Sequence, residues 1–490
     1  MPHPSTANDY VARLTRELVK LPTETEWVEF KENNADPQEI AEYISALSNA
    51  ATLCGKSRGY LVWGVNDTTH EIVGTGFDYR KVKKGNEELE AWLARMINPK
   101  TSFRFYSDKV DGKRVTLLEI PAAVREPTKF GTVAFIRVGS NKKPLSKFPD
   151  REAELWRLLD TTPYEIRLAA EDLPEDDVLS LLDYPSYYRA LGPPIPTARD
   201  KIFADLENEE FIVRNDAGGW GITNLGALMI AVDLTEFRHL AKRAVRVIQY
   251  RGDGRLDGVQ ERSFTKGYAI SHEEVVQFVM AIIPKEEVID GAIRHNVVSF
   301  PEIAVRELTA NMMVHQALDI SGTSPMVEVF DGRIEFSNAG APLVEIDRIV
   351  DTVPQSRNEA MAGFMHKCGI CEERGSGYDK IVTATSSQNL LAPRVENQSD
   401  KFTKATIYSK IPFDLTSKED RVRTCYMQAC LASVTANALT NADVRNLFAL
   451  EGNAKVKASR VIKDTVDAGL IKPVDPDTAP RYMRYVPFWA

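Results

Sequence analysis

Apolar residues recur along this chain with two different periods. In "DYVARLTRELVK" (9–20) they fall every three or four positions, the spacing of one helix face, and "PQEIAEYISALSNAATL" (37–53) repeats it with Pro37 in a first turn. "GYLVWGV" (59–65) is an unbroken apolar run closed by Asn-Asp, the pattern of a buried strand, and "RVTLLEIP" (114–121) and "TVAFIRVG" (132–139) predict two more. Residues 1–150 therefore predict a mixed α/β domain.

Residues 151–240 read as a helical connector. Within it "PTARDKIFADLENEEFIVRNDAGGWGITNLGALMI" orders helix, strand, Gly-Gly turn, strand and helix, as in a small winged-helix-like unit. Residues 241–415 open on a strand (243–250), continue with helices at 271–284 and 301–318, and place a hairpin at 325–338 around Asp331-Gly332. In 416–490, "TNADVRNLFAL" (440–450) starts on a Thr-Asn cap, a second helix closes at Gly469, and two strands flank a Pro-Asp turn, predicting a winged helix-turn-helix. The fold class expected is an α+β multidomain chain.

A length of 490 residues exceeds what one core supports, and 43% hydrophobic with 27% charged residues is ordinary for a globular protein. The net charge of −9 leaves nucleic-acid contact to local basic patches. No signal-peptide core and no run of about 18 apolar residues is present, so no membrane span and a cytoplasmic location are expected. Cys368-x-x-Cys371 and the looser pair Cys425 and Cys430 could supply four thiolates to zinc. The second spacing is too wide for a usual knuckle, however, and with Cys54 they read as reduced, buried thiols.

The densest candidate chemistry is "TETEWVEFK" (23–31), three carboxylates among bulky apolar groups. It reads either as a strand with an outward acidic face or as a metal site. Glu24 and Glu29 would point to opposite faces of a regular strand, so convergence needs a turn between them. Asp67, leaving the strand 59–65, could join them, and such carboxylates suit Mg²⁺ or Mn²⁺ and the cleavage of a phosphodiester, with Lys31 near the developing charge. Arg80, Lys81, Lys83, Lys84, Lys129, Arg137, Lys142 and Lys143 are phosphate-binding candidates, against a plain solvated surface.

"ETEWVEFK" (24–31), "SALSNA" (45–50), "RGYLVWGVND" (58–67) and "EPTKFGTVAFIRVGSNKKPL" (126–145) occur in the order of the Schlafen core, and residues 1–150 resemble a Schlafen AlbA-like domain. The resemblance implies a domain that acts on nucleic acid. In its ribonuclease members, two glutamates and an aspartate hold a divalent metal and cut RNA, often transfer RNA; those places fall on Glu24, Glu29 and Asp67. The first acid of that family's Asp-Asp pair is Asn66 here. Many bacterial relatives are described only as DNA-binding or transcriptional regulators.

In "VRELTANMMVHQ" (305–316), Glu307 and Asn311 stand i, i+4 on one helix face, where a glutamate could orient water and an asparagine carbonyl could bind Mg²⁺ beside a triphosphate. Gly375-Ser376-Gly377 before a helical pattern could bring backbone N–H groups to phosphates, or be a plain turn. With "VEVFDGRIEFSNAGAP" (327–342), "SRNEAM" (356–361) and "EERGSGYDKI" (372–381), these segments resemble the divergent GHKL-type ATP-binding domain, an α/β sandwich that commonly follows the Schlafen AlbA-like domain. The resemblance implies an ATP site at Glu307, Asn311, Asn338, Gly340, Gly375 and Gly377, with Asn338 about where standard members have an adenine-reading aspartate.

Residues 418–490 hold 11 basic and 8 acidic side chains, a local charge of +3, with Lys455, Lys457, Arg460 and Lys463 in the second helix and Arg481 and Arg484 on the expected wing. These predict contacts to DNA or RNA. Two readings follow. One is a metal-dependent Schlafen-type endoribonuclease gated by the nucleotide domain, with weak ATPase turnover and suited to phage defence. The other is a DNA-binding transcriptional regulator whose GHKL-like domain senses ATP or another ligand without nuclease activity. A scaffold with vestigial pockets is the bland third. A homodimer is the default assembly.

Overall fold

A computed structural model describes residues 4–21, 25–139, 141–161, 163–216, 218–290, 293–371, 377–451, 454–479 and 481–490. The chain divides into two units, one of residues up to 163 with 171–175 and 213–221, the other of 164–170, 176–212 and 222 onward. Among the described residues no helix is long and apolar enough to cross a membrane.

The first unit is built on helix α1 (Pro4–Leu18), strand β1 (Val28–Lys31), helix α2 (Pro37–Leu53) and strands β2 (Arg58–Trp63), β3 (Arg104–Val110) and β4 (Lys113–Pro121). The sheet order is β1-β2-β4-β3, with β1 and β2 parallel because α2 carries the chain back between them. Helix α2 starts where the sequence predicts: the Asp36 carboxylate accepts the N–H groups of Gln38 and Glu39, and Pro37 needs no partner for its nitrogen. Its Ile40, Ile44 and Leu47 pack with Leu61, Trp63 and Leu118 of the sheet, each such burial contributing about 2 kcal/mol. Helix and strand approach so closely that a Cβ on Gly59 would lie 2.7 Å from the Leu47 carbonyl oxygen. The predicted strand 59–65 stops at Trp63, because Gly64 turns at φ 96° and sends its N–H to the Lys31 carbonyl.

A second small sheet runs Asn141–Pro144, Val133–Val138, Lys129–Phe130 and Ile97–Asn98. Helix α2 is stitched to it by buried Asn49. Asn49 Nδ2 donates to the carbonyls of Thr128 (2.9 Å) and Phe135 (2.8 Å), and Oδ1 accepts the Thr128 N–H at 2.8 Å. Ser45 Oγ donates to the Thr128 carbonyl and accepts the Phe135 N–H.

The connector shows the expected order, with helices Arg199–Asn208 and Asn224–Ile230 around strands Ile212–Arg214 and Trp220–Thr223. The second unit is dominated by strands β5 (Val245–Tyr250), β6 (Gly258–Phe264), β7 (Met326–Val329), β8 (Arg333–Ala339), β9 (Arg394–Gln398) and β10 (Phe402–Tyr408), in the order β6-β5-β7-β8-β10-β9. Helices α3 (Tyr268–Ile282) and α4 (Glu302–Val314) lie in the crossover between parallel β5 and β7, and α5 (Glu359–Lys367) and α6 (Gly377–Ser387) follow β8. The predicted helix 301–318 ends at Val314. Asn358 Nδ2 takes the carbonyls of Val314 and Gln316, and the Ala317 N–H turns to Ala339, so 315–317 are drawn off the helix.

Residues after 417 form helices α7 (Lys418–Val434), α8 (Asn441–Leu447) and α9 (Lys455–Asp467), then an antiparallel ribbon of Ile471–Pro473 and Tyr485–Pro487. Thr440 and Asp443 cap α8 reciprocally, the start that Thr-Asn announces.

Replacing Asn49 by Ala takes the amide away from the Phe135 carbonyl and the Thr128 N–H, while the Thr128 carbonyl keeps Ser45. The substitution is expected to cost about 3 kcal/mol, read as a fall in the urea midpoint of the Asn49→Ala chain; an unchanged midpoint would contradict the stitching role.

Candidate functional site

Two constellations carry candidate chemistry, one in each unit. In the first, Glu29 sits on β1 opposite Leu61 and is 8% exposed. Its Oε1 meets Lys31 Nζ at 2.6 Å and accepts from the Tyr43 hydroxyl at 2.9 Å; its Oε2 meets Arg137 Nη1 at 2.6 Å. Burial opposes the Lys31 ammonium, but the hydrogen bond and charge of Glu29 outweigh it and raise its pKa above the usual lysine value. A carboxylate with two cations and a phenol on it is a satisfied buried acid. Lys31 is thereby occupied on Glu29.

Asp67 is exposed in the turn after β2, with Thr68 as its hydrogen-bond partner. Asn66 builds that turn, accepting the N–H groups of Thr68 and Thr69 while its amide donates to Glu32 at 2.7 Å. An aspartate at 66 would set two carboxylates against each other, which accounts for asparagine there. Glu24 lies outside the described residues. Glu26 pairs with Arg151. Among the described residues no group of three His, Cys, Asp or Glu is placed to hold a metal, so Glu29 and Asp67 as they stand do not make a donor set. None of Cys54, Cys368, Cys371, Cys425 and Cys430 is in a disulfide; Cys425 and Cys430 are buried as expected, Cys368 and Cys371 are half-buried, and Cys54 is exposed.

The phosphate-contact expectation for Arg137 needs correction. Arg137 is 3% exposed and turns its Nη1 to both Glu29 and the Val28 carbonyl, because the buried carboxylate requires a cation. Lys83 and Lys84 are exposed, opposite Glu88 and Glu87 on a two-residue ladder. Lys142 is half-buried against Glu42, and Lys143 is exposed. On α9, Lys455, Lys457, Arg460 and Lys463 face outward while Ala458, Val461 and Ile462 are buried; Lys457 reaches Asp414 at 2.8 Å. Arg481 and Arg484 are exposed on the approach to the ribbon.

The second constellation surrounds a cavity of about 550 Å³ in the second unit. Glu307 and Asn311 of α4, Asn338 of β8 and Gly377 of α6 all line it, so four of the six expected positions converge from three elements. Glu307 is 5% exposed and has Lys380 Nζ at 3.7 Å. A Cβ on Gly377 would meet Glu307 Oε2 at 3.1 Å, so the glycine keeps that corner open. Asn338 Nδ2 donates to the carbonyls of His315 (3.3 Å) and Ala339 (3.0 Å). Carbonyls only accept, which fixes the amide's orientation and leaves Oδ1 as its acceptor.

Gly340 is not among the lining residues. It turns at φ 103°, and a Cβ there would fall on the Arg357 guanidinium, so the glycine makes room for a side chain that does line the cavity. Gly375 lies outside the described residues. Burial, aided by the charge of Arg357, pushes the His315 imidazole down to about 4, so this lining residue is neutral at pH 7. Glu307 and Asn311 present oxygen donors of the kind Mg²⁺ takes beside a phosphate, so these residues fit that group.

Sequence reasoning missed much of the wall. Residues 341–357 contribute Leu343, Val344, Ile349 and Val353, which follow no helical or strand period. It also missed Glu165, 2% exposed, whose carboxylate accepts the Met361 N–H at 2.6 Å and caps α5, another wall of the cavity.

Glu29→Gln would leave Arg137 and Lys31 without their anion and is expected to cost about 3 kcal/mol, seen as an earlier denaturant transition. Two-dimensional NMR of the imidazole resonances is expected to show His315 neutral down to about pH 4; titration near 6.5 would overturn its placement.

Residues 24–146 match the family model "Schlafen, AlbA_2". Residues 322–405 match "Putative ATP-dependent DNA helicase recG C-terminal", a span that holds β7, β8 and most of β10 but begins after Glu307 and Asn311. No curated protein matches the chain. Among solved structures, the DIP2311 protein of Corynebacterium diphtheriae aligns over 98% of this chain and 96% of its own at 16% identity, with a TM-score of 0.42. The chain thus carries a Schlafen AlbA_2 domain at residues 24–146 and an ATPase-type domain of the RecG C-terminal kind at 322–405.

Proposed function

We propose that this protein binds nucleic acid under the control of a nucleotide held in the cavity of its second unit. The observation that carries the reading is the convergence of Glu307, Asn311, Asn338 and Gly377 on one cavity of about 550 Å³, a size suited to a small-molecule ligand. With nucleotide bound, Mg²⁺ on the phosphates supplies charge neutralisation. Asn311 offers it a carbonyl oxygen, Glu307 holds Lys380 and can orient a water, Gly377 leaves room beside that carboxylate, and Asn338 presents an acceptor to a base. The nucleic-acid surface is the outward face of α9, where Lys455, Arg460 and Lys463 have no ion pair among the described residues, with Lys83, Lys84 and Arg484 as further candidates. In this reading the last three helices and the ribbon work as a winged helix-turn-helix.

Cleavage by a metal-dependent Schlafen-type site is the second reading, favoured by the family match over 24–146 and by exposed Asp67 at the end of a buried strand. It requires Glu29 to exchange Lys31 or Arg137 for metal. A regulator of transcription and a defence nuclease differ here in one property, cutting.

Labelled total transfer RNA and duplex DNA, offered to the full chain in Mn²⁺ and in EDTA beside Asp67→Ala, separate the two. Binding in EDTA without cutting in either condition is expected. Metal-dependent cutting that Asp67→Ala abolishes would replace the binding reading with the nuclease. Arg460→Ala with Lys463→Ala is expected to lower affinity and to reduce the salt slope of log Kobs by about 2; an unchanged slope would remove α9 from the interface.

A further inference from the structure

The cavity and the C-terminal helices share one segment. Residues 341–357 run from β8 to α5 as a strap of mostly irregular backbone around one 3-10 turn, Ile346–Arg348, and its Leu343, Val344, Ile349 and Val353 line the cavity. The other side of the strap is held from the C-terminal part. The Tyr426 hydroxyl of α7 donates to the Asp347 carbonyl, and the Arg348 guanidinium lies 5.0 Å from the centre of the Trp489 ring. Tyr426 stacks on Phe488 at 6.2 Å, so one aromatic group carries both the strap contact and the chain's final residues. Arg348 is clamped in place by Asp351 three residues on.

The strap is closed on itself by Arg357. Its Nη2 donates to the carbonyl of Ala341 at 2.6 Å, joining the last residue of the strap to the first. This guanidinium lines the cavity and has no ion pair among the described residues. Burial lowers its pKa, with the charge of Asp319 working against that effect, as for a cation short of solvent and of a near counter-anion. A neutral carbonyl is a weak partner for such a cation; a phosphate or carboxylate offers a charged and bidentate one.

We propose that the strap 341–357 is a relay through which an anionic ligand in the cavity controls the C-terminal helices. Arg357 is the group that meets the anion, and Tyr426 and Trp489 are the groups that read the strap. An anion draws the guanidinium from Ala341, the strap changes its path over the ligand, and Asp347 and Arg348 move against Tyr426 and Trp489. The proposal rests on the nucleotide reading of the cavity, and goes beyond it by naming the side chains through which occupancy reaches α7 to α9. Arg357 acts here on ligand charge, so a nucleoside without phosphates should fill the cavity and leave the relay unmoved.

The test uses the full chain with Mg-ATP and, separately, adenosine. Equilibrium dialysis measures binding; tryptophan emission measures the strap, with Trp489→Phe identifying the contribution of Trp489 among the six tryptophans. Mg-ATP is expected to bind and to shift the emission of the parent chain. The shift should vanish in Trp489→Phe, and shrink in Tyr426→Phe with ATP affinity within about twofold of the parent, since neither residue lines the cavity. In parallel, Mg-ATP should change nucleic-acid affinity by about fivefold or more in the parent, and less in Tyr426→Phe. ATP that binds without an emission shift, or a shift that Trp489→Phe keeps, overturns the relay and leaves the cavity reading standing. Adenosine that shifts the emission as ATP does removes Arg357 from it. ATP that does not bind removes the cavity reading and the relay together.

Discussion

A pocket of about 550 Å³ that opens to solvent keeps its shape only where its walls are held by contacts of their own. Several contacts in the second unit supply that hold. Asn358 bridges the end of α4 to the start of α5 through two carbonyls. Glu165 caps α5 from a segment 196 residues earlier in the chain. Arg357 fills the space that Gly340 leaves, and α7 grips the strap through Tyr426. These braces are polar and directional, and they fix helix ends rather than filling the centre. A site shaped in this way is ready for a ligand before the ligand arrives, which lowers the ordering cost of binding.

The first unit obeys a different constraint. A carboxylate at 8% exposure must be charged and paired or else neutral, and Glu29 is paired twice over. Arg137 comes from the second sheet of that unit and Lys31 from the same strand, so Glu29 ties the two sheets through charge while Asn49 ties helix α2 to the second sheet through amide hydrogen bonds. An arrangement with this much to lose resists rearrangement. The same residues that resemble a metal site in sequence thereby serve the cohesion of the domain.

Regular elements were the legible part of this chain. Helix 37–53 follows from period and Pro37, and the hairpin around Asp331-Gly332 from turn chemistry. The convergence of Glu307 and Asn311 was legible because i, i+4 places two side chains on one face whatever the fold. What could not be read was the meaning of charge. "VAFIRV" gives no sign that Arg137 points inward to Glu29, because alternation along a strand tells sides apart and not which side is wet. The strap was equally opaque: an irregular segment has no period, and its partners Tyr426 and Trp489 lie 79 or more positions away. The turn at Asn66 shows the converse, a departure from the family pattern that becomes intelligible once Glu32 is seen beside it.

The central claim is that the cavity takes a nucleotide, and calorimetric titration of the full chain with Mg-ATP beside Gly377→Val tests it most directly. One site per chain is expected in the parent. Valine at 377 pushes atoms toward Glu307 Oε2, 3.1 Å from where even a Cβ would stand, and should weaken binding by about tenfold or more. No heat in the parent, or equal affinity in the variant, would contradict the account.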